Sequence, residues 1–231
     1  MQLFYIEDPE KEIILTKEES KHVIKVLRKK EGDILNFTDG KGMLYKAKIT
    51  STEIKKCKLQ IINNKQKLKQ HNYHLHIAIA PTKNIDRFEW FLEKATEIGI
   101  DEITPIICNR SERKSIKIER CQRILISAIK QSLKYHLPKL NQAISLNDFL
   151  KLNINGSKYI AHCENEKKSN LKNIQKERDS LILIGPEGDF TTNEIRTALK
   201  KQFKAISLGT SRLRTETAGI IATHTINIKH T

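Results

Sequence analysis

An α/β fold with a parallel sheet is predicted for the chain from about residue 75 onward, because strand-like apolar runs alternate there with helix-like amphipathic runs. Residues 181–184 are all apolar, which is typical of a strand that is buried on both faces. Residues 185–188, Gly-Pro-Glu-Gly, end this run in a tight loop. Thr191 and Glu194 then match a capping box, which predicts the start of a helix. The apolar face of this helix comprises Ile195, Ala198 and Leu199.

A second strand and loop follow this helix. Residues 205–208 form a strand-like run that ends at Gly209, and a polar loop covers 210–217. We expect a terminal helix over 218–228, with an inward face made of Ala218, Ile221, Ala222 and Ile226. Parallel strands that end in glycine-containing loops at the same sheet edge form the usual ligand site of α/β folds. Ordinary turn glycines are the alternative explanation of Gly185, Gly188 and Gly209.

The other elements of this larger part follow the same alternation. Strands are predicted over 75–80, 103–108 and 158–161. A helix capped by Asp86 and Glu89 ends at Gly99, and its inward residues are Phe88, Phe91, Leu92, Ala95 and Ile98. Another helix is predicted over 118–133, on the stripe Ile118, Cys121, Leu125 and Ala128.

The beginning of the chain predicts a small β-barrel with one helix. Strands are expected over 3–6, 34–38, 43–50 and 57–62, with a glycine-containing turn at 39–42. Thr16 and Glu19 form a capping box for a helix to about Lys29, with Val23, Val26 and Leu27 inward. The polar stretch 63–72 has no apolar periodicity and is interpreted as a linker. We therefore predict two domains, 1–68 and 72–231.

The composition indicates a polyanionic partner. The 231-residue chain contains 42 Lys and Arg against 27 Asp and Glu, a formal net charge of +15. The alternative is a genome composition that enriches Lys, Ile and Asn, since charged runs are usually solvated faces. The four cysteines form no C-x-x-C pair and are expected to be reduced, buried thiols of a cytoplasmic protein. No apolar run reaches the roughly 20 residues of a membrane span, so no membrane partner is expected.

Several motifs together resemble one family. Residues 184–190, IGPEGDF, and residues 207–219, SLGTSRLRTETAG, resemble the closing motifs of the RsmE family of 16S ribosomal RNA uridine-N3 methyltransferases, which belong to the SPOUT superfamily. The resemblance extends to the front of the chain, through His22-Val23, Val26-Leu27-Arg28 and Gly32-Asp33, and to the middle, through Lys94, Glu97, Gly99, Pro105 and Arg110 to Arg113. Asp189 stands where the family usually has a second glycine, and Ser211 also departs from the usual pattern.

The resemblance implies a fold, a cofactor and partners. It implies a C-terminal SPOUT domain with a deep trefoil knot, a PUA-like N-terminal barrel that binds RNA, and a homodimer. The implied cofactor is S-adenosylmethionine, and the implied substrate is 16S rRNA in the 30S subunit; no DNA partner is expected. The loops after Ala161, Ile184 and Leu208 would gather around the cofactor. The implied cofactor-binding residues are His162, Ile184, Gly185, Pro186, Glu187, Gly188, Leu208, Gly209, Leu213 and Thr217.

Methylation at uridine N3 defines what the catalytic residues must do. The N3 proton has to be removed, and the developing anion has to be stabilised. We expect Arg214 to hold the uracil or its phosphate, and Glu216 to act as the base or to orient Arg214. The alternative is a structural Arg–Glu ion pair that supports the loop. Glu187 is a second candidate for this carboxylate. Its alternative role is to place a negative charge near the N-terminus of a helix.

Other side chains suggest RNA contacts. A basic stretch begins with Arg110, Arg113 and Lys114 and resembles a segment that binds the RNA backbone. The alternative is that it forms a solvated helix face. Arg28 ends the first predicted helix, where it either caps the helix or contacts phosphate. Trp90 is interpreted as a packing residue. His71, His74 and His76 suggest a metal, but nothing completes a ligand set, so no metal site is predicted.

Two rival functions remain open at the level of sequence. One is a non-catalytic RNA-binding or ribosome-assembly protein of the same fold, which Asp189 and Ser211 would favour if they reflect erosion of the cofactor loops. The other is the same chemistry on a different RNA, such as transfer RNA. A Rossmann-type methyltransferase is disfavoured because the chain lacks a G-x-G-x-x-G motif.

Overall fold

The computed structural model describes residues 2–165 and 167–231 and divides the chain into two compact units. The first unit comprises the residues up to Lys69 together with Ile129–Leu137. The second unit comprises Gln70–Ala128 and Pro138–Thr231. Among the described residues, no helix is both long enough and apolar enough to cross a membrane.

The first unit contains a five-stranded sheet. Its strands are β1 (Leu3–Tyr5), β2 (Glu12–Ile14), β3 (Ile34–Thr38), β4 (Met43–Ser51) and β5 (Lys58–Gln66), in the order β1-β3-β4-β5-β2. The core of this unit includes Phe4, Ile13, Phe37 and Leu59. The predicted turn is present, because the Asp39 carboxylate accepts hydrogen bonds from the backbone N–H groups of Lys41 and Met43.

The first helix of the chain starts where the capping box predicts. Helix α1 (Lys17–Lys21) is capped by Thr16, whose hydroxyl accepts from the Glu19 N–H, and it continues as a π-helical turn, His22–Val26. The wider π turn shifts the apolar face, so Val23 is fully buried but Val26 is 65% exposed. The prediction that Val26 faces inward is therefore wrong.

Part of the predicted linker is a strand. Residues 63–66 extend β5, and their backbones pair with Met43 to Lys46 on β4. Their side chains are exposed, so the hydrogen bonds of the ladder hold this segment without an apolar pattern in the sequence. This is why the hydropathy pattern failed to detect the strand.

The second unit is built on an eight-stranded sheet in which every pairing is parallel. The order is β11-β13-β10-β12-β6-β7-β8, and β9 pairs with β7. The strands are β6 (His74–Ile79), β7 (Glu102–Ile107), β8 (Lys139–Leu140), β9 (Ile144–Ser145), β10 (Ser157–Ala161), β11 (Ser169–Asn170), β12 (Asp179–Ile184) and β13 (Lys204–Ser207). The predicted α/β class and the parallel sheet are confirmed.

Five helices accompany this sheet: α2 (Ile85–Ile98), α3 (Ile118–Ser132), α4 (Leu146–Phe149), α5 (Thr192–Lys200) and α6 (Thr215–His230). A short 3-10 turn, Leu171–Asn173, precedes β12. The cap of α2 is Asn84, whose side chain accepts from the Asp86 N–H, and not the predicted Asp86 and Glu89. Helix α5 begins at the predicted capping box of Thr191 and Glu194.

Three further predictions about burial are wrong. Leu199 lies at the edge of the apolar face of α5 and is 37% exposed. Trp90 is 47% exposed on α2 instead of being packed in the core. Cys163 is exposed in the loop after β10, whereas Cys57, Cys108 and Cys121 are buried and reduced, as predicted.

Candidate cofactor site

The carboxyl ends of the central strands surround a cavity of about 750 Å³. The loops after β10, β12 and β13 form its wall, and we call this part of the sheet the carboxyl edge. The volume lies within the range of small-molecule binding sites. Nine of the predicted site residues line the cavity: His162, Ile184, Gly185, Pro186, Glu187, Leu208, Gly209, Leu213 and Arg214.

The loop after β12 is held by hydrogen bonds from two other parts of the chain. The Thr215 hydroxyl donates to the Gly185 carbonyl at 3.0 Å, which ties the loop to the start of α6. The Glu187 carboxylate accepts from the backbone N–H of Lys83 at 2.9 Å. A Cβ atom on Gly185 would lie 3.1 Å from the Phe190 ring, so a larger residue here would require this ring to move. Gly188 does not line the cavity and lies beside Arg110.

Asp189 connects two loops of the cavity. Its carboxylate accepts from the Cys163 N–H at 2.7 Å and from the Phe190 N–H at 2.8 Å. Its φ of 61° lies in the left-handed region, which explains why a glycine is usual at this position and why Asp, which tolerates that region, can replace it. The departure from the family pattern therefore adds a bond between the loops after β10 and β12.

The loop after β10 contributes residues that sequence reasoning missed. Lys168 lines the cavity, and its ammonium group donates to the carbonyls of His162 and Glu164, both at 2.7 Å. Cys163 also lines the cavity. Local desolvation, and then the neighbouring Asp189 carboxylate, raise the pKa of the Cys163 thiol, so it is protonated at neutral pH. Neither residue belongs to a motif, so no signal in the sequence marked them.

The loop after β13 leaves open space for a ligand. Gly209 has a φ of 150°, and no heavy atom of the described residues lies within 4 Å of the position that a Cβ atom would occupy. The Ser207 hydroxyl donates to the Gly209 carbonyl and accepts from its N–H, which stabilises the turn. The half-buried side chains of Leu208 and Leu213 add apolar surface to the wall.

Arg214 and Glu216 are placed differently. Arg214 is the residue just before α6, its side chain is exposed, and it lines the cavity. Glu216 lies in the first turn of α6 and not in the loop, it is only 5% exposed, and it does not line the cavity. The Oε1 atom of Glu216 is 3.9 Å from Arg87 Nε, and its Oε2 atom has no hydrogen-bond partner among the described residues. The suggested Arg214–Glu216 ion pair is therefore replaced by a contact with Arg87.

The remaining predicted residues have distinct environments. Thr217 is half-buried in α6 and does not line the cavity. Arg110 donates to the carbonyls of Gly188 and Phe190, so it supports the loop after β12. Arg113 donates to the carbonyls of Thr82 and Lys83.

The two other predicted RNA contacts are exposed. Lys114 lies in the second unit, and Arg28 lies in the first. Their ammonium and guanidinium groups are therefore open to solvent, in contrast to the bonded side chains of Arg110 and Arg113.

Comparison of the chain with models of known protein families identifies an RNA methyltransferase domain and a PUA domain. The family model described as an RNA methyltransferase domain matches residues 69–227, and the one described as an RNA methyltransferase PUA domain matches residues 15–62. A "Ribosomal RNA small subunit methyltransferase E" from Rickettsia conorii is 35% identical over 206 residues, which cover 87% of this chain and 83% of the relative. The chain belongs to the ribosomal RNA small subunit methyltransferase E family, which confirms the resemblance of its motifs.

Two solved structures resemble the whole chain. The crystal structure of a "probable rRNA-methyltransferase" from Porphyromonas gingivalis has a TM-score of 0.93 at 39% identity and covers 99% of both chains. The crystal structure of a ribosomal RNA small subunit methyltransferase E from Neisseria gonorrhoeae bound to S-adenosyl methionine has a TM-score of 0.88 at 26% identity. It covers 100% of this chain and 98% of the other.

Proposed function

We propose that this protein uses S-adenosylmethionine to methylate N3 of a uridine in the 16S rRNA of the small ribosomal subunit. The observation that carries the proposal is the carboxyl-edge cavity, with an exposed Arg214 on its wall. The names of its relatives support rRNA as the substrate, and the S-adenosyl methionine in the Neisseria gonorrhoeae structure supports the cofactor.

The residues of the cavity suit this cofactor. Ile184, Leu208 and Leu213 offer apolar surface to a purine ring, and the open backbone at Gly209 leaves room for close approach. Polar backbone groups of the three loops would bind the other parts of the molecule. When bound, S-adenosylmethionine supplies an electrophilic methyl group. Gly188 and Thr217, which do not line the cavity, would contribute by supporting the loop and the helix beside it.

Arg214 is the proposed catalytic residue. Loss of the N3 proton leaves negative charge on the uracil ring, and a guanidinium group stabilises such charge. The Arg214 side chain is exposed and has no partner among the described residues, so it is available for a substrate. We infer that it stabilises the developing anion.

Glu216 is proposed as a positioning residue. Its carboxylate lies beside Arg87 in the first turn of α6, so it fixes the start of the helix that immediately follows Arg214. A Glu216→Gln variant distinguishes this role from that of a general base. The amide keeps the shape of the side chain, so a positioning role predicts that most of kcat remains and that the pH profile is unchanged. Loss of the acidic limb of the pH profile would instead indicate the base.

RNA binding is proposed for the basic residues. Arg28 and Lys114 are exposed and suit phosphate contacts, whereas Arg110 and Arg113 would contribute mainly by holding the loops that receive the RNA. The net charge of +15 supports this assignment. Reaching N3 also requires the uridine to turn out of its surroundings, at a cost of a few kcal/mol.

Four structural features complete the proposal: a trefoil knot, a closed PUA-like barrel in the first unit, domain limits of 1–68 and 72–231, and a homodimer in the cytoplasm. The knot is supported by the strand order, in which β12 lies between β6 and β10, two strands that precede it in the chain. Trp90 and Ile228, both about half-exposed, lie on the packed helices α2 and α6 and support an interface with a second copy.

The decisive experiment is product identification. Purified protein and S-adenosylmethionine are mixed with small subunits that lack the modification, and the digested rRNA is searched by mass spectrometry for N3-methyluridine. Its appearance supports the proposal. If N3-methyluridine forms only in transfer RNA, the substrate is transfer RNA and not rRNA. If the protein binds RNA but forms no product, the non-catalytic alternative is favoured.

A further inference from the structure

The sheet of the second unit carries another cavity at the opposite ends of its strands. This cavity has a volume of about 860 Å³ and is lined by the first residues of three strands, His74 of β6, Glu102 of β7 and Asp179 of β12. We call this part of the sheet the amino edge. None of the proposed cofactor-binding or catalytic residues lies here.

A chain of hydrogen bonds forms one wall of this cavity. Lys139 Nζ and Asn141 Nδ2 both donate to Glu102 Oε1, at 2.9 and 2.7 Å. Asn141 Nδ2 also donates to Thr104 Oγ1 at 2.7 Å. Thr104 Oγ1 in turn lies 2.7 Å from His76 Nε2. His76 and Thr104 are at least 95% buried, so the wall is held firmly in place.

The direction of these bonds follows from the chemistry of His76. Burial lowers the pKa of its imidazole to about 4, so the ring is neutral at pH 7 and has one donor and one acceptor nitrogen. Thr104 Oγ1 accepts from Asn141 and has no acceptor for its own proton among the described residues other than His76 Nε2, so we assign this proton to the bond with His76. The ring proton therefore resides on Nδ1.

The network leaves one donor and one acceptor without a protein partner. His76 Nδ1–H makes no hydrogen bond within the described part of the chain. Asn141 uses both amide protons, and its Oδ1 atom likewise has no partner among the described residues. Both side chains line the cavity, and together they match a ligand that presents a carbonyl oxygen next to an N–H group.

The rest of the lining favours a flat, neutral ligand. Phe149 is buried and its ring meets the His76 ring edge-on, with centroids 5.8 Å apart. Ile144, Leu152 and Leu181 extend this apolar surface. The carboxylates of Glu102 and Asp179 disfavour an anion, and Lys139, the only lysine among the described residues of the lining, already binds Glu102.

We propose that the amino-edge cavity binds a nucleobase with a lactam edge, uracil or guanine, through His76 and Asn141, with its face against the apolar wall. Single-stranded RNA bases are recognised in this way, by hydrogen bonds to their edges and by contact with their faces. The base comes either from a free nucleoside or from a nucleotide of the RNA remote from the target uridine; only the second source rests on the proposed function.

The test is a ligand-observed NMR titration of the full chain with uridine and guanosine. Both are expected to bind, and adenosine and N3-methyluridine, which lack the lactam N–H, are expected to bind about tenfold more weakly. Asn141→Leu should weaken uridine binding by about tenfold. Leu152→Trp, at a half-exposed position of the lining, should block it without disturbing the core. Arg214→Ala should have no effect, because that residue lines the other cavity.

Two further arms identify the source of the base. If Leu152→Trp raises the KM for rRNA and leaves kcat unchanged, the base belongs to the RNA. If Leu152→Trp leaves the KM for rRNA unchanged, while the wild type binds the nucleoside, the ligand is a free nucleoside. Equal binding of uridine and N3-methyluridine would overturn the proposal, as would loss of uridine binding in Arg214→Ala alone. The nucleoside titration does not depend on methyl transfer, so it can fail or succeed independently of the proposed function.

Discussion

The two edges of the parallel sheet carry cavities of similar size that are built in different ways. The carboxyl edge is made of loops, whose backbone groups and glycines surround about 750 Å³, and its arginine is exposed. The amino edge is made of side chains on the strands, joined by hydrogen bonds around about 860 Å³. A reactive site needs a charged side chain that is not already bound to another protein group. A site that recognises a ligand needs polar side chains whose direction is fixed by their hydrogen-bond partners.

The largest expected effect concerns the exposed arginine of the carboxyl edge. Arg214→Ala should lower kcat by about 10²–10³-fold, because one charge-stabilising donor is lost. The affinity for S-adenosylmethionine should remain unchanged, which calorimetry can measure. Arg196→Ala, an exposed arginine on α5, is the matched control. A parallel loss of cofactor affinity in Arg214→Ala would mean that this residue binds the cofactor and not the uracil.

The second effect concerns the buried histidine of the amino edge. The pKa of His76 is about 4 in the folded chain against 6.5 for a free imidazole, because burial disfavours the charged form. The unfolded chain therefore binds a proton first as the pH falls, and stability is lost between about pH 6.5 and pH 4. The difference corresponds to about 3 kcal/mol. Urea unfolding at pH 7.5 and pH 4 should show a steeper loss in the wild type than in His76→Gln; equal losses would contradict the account.

The third effect concerns the anchoring of the carboxyl-edge loops. The buried Glu194 carboxylate accepts from the Thr191 N–H at 2.7 Å and from the Asn109 N–H at 2.8 Å, which joins the loops after β12 and β7. Glu194→Ala should lower the free energy of unfolding by about 2–3 kcal/mol, because three charge-assisted hydrogen bonds are lost, the third being the one from the Thr191 hydroxyl. Asn193→Ala, an exposed neighbour, should change it little. Chemical denaturation measures both, and equal stabilities would refute the anchoring role.

The smallest effect concerns the bond between two cofactor loops. Asp189→Gly removes the acceptor of the Cys163 N–H, and we expect about fivefold weaker binding of S-adenosylmethionine. Gln202→Gly is the control, because Gln202 also has a positive φ, 66°, but does not line the cavity. Tighter binding of S-adenosylmethionine by Asp189→Gly would show that relief of the backbone strain at this positive φ outweighs the lost hydrogen bond from the Cys163 N–H.

Local signals in the sequence predicted most of the fold. The capping boxes at Thr16 and Thr191 and the all-apolar run before Gly185 depend on neighbouring residues, so they could be identified without the structure. The π turn that exposes Val26 has no such signal. Strands of two or three residues, such as β2 and β8, are too short to show a period.

Contacts between residues that are distant in the chain could not be predicted from the sequence. Eight of the ten cofactor-binding residues expected from the motifs line one cavity, because the loops that contain them follow adjacent parallel strands. The contact of Glu216 with Arg87 joins α6 to α2, and no spacing predicts it. The sequence suggests only a metal-ligand role for His76, because its bond to Thr104 depends on the pairing of β6 with β7.

Calorimetric titration of two cavity-filling variants with S-adenosylmethionine tests which of the two cavities binds the methyl donor. Leu208 and Leu152 are incompletely buried leucines that line the carboxyl-edge and amino-edge cavities, respectively. Leu208→Trp should abolish cofactor binding, and Leu152→Trp should leave it unchanged. Loss of binding in Leu152→Trp, with retention in Leu208→Trp, would contradict the assignment of the methyl donor to the carboxyl edge.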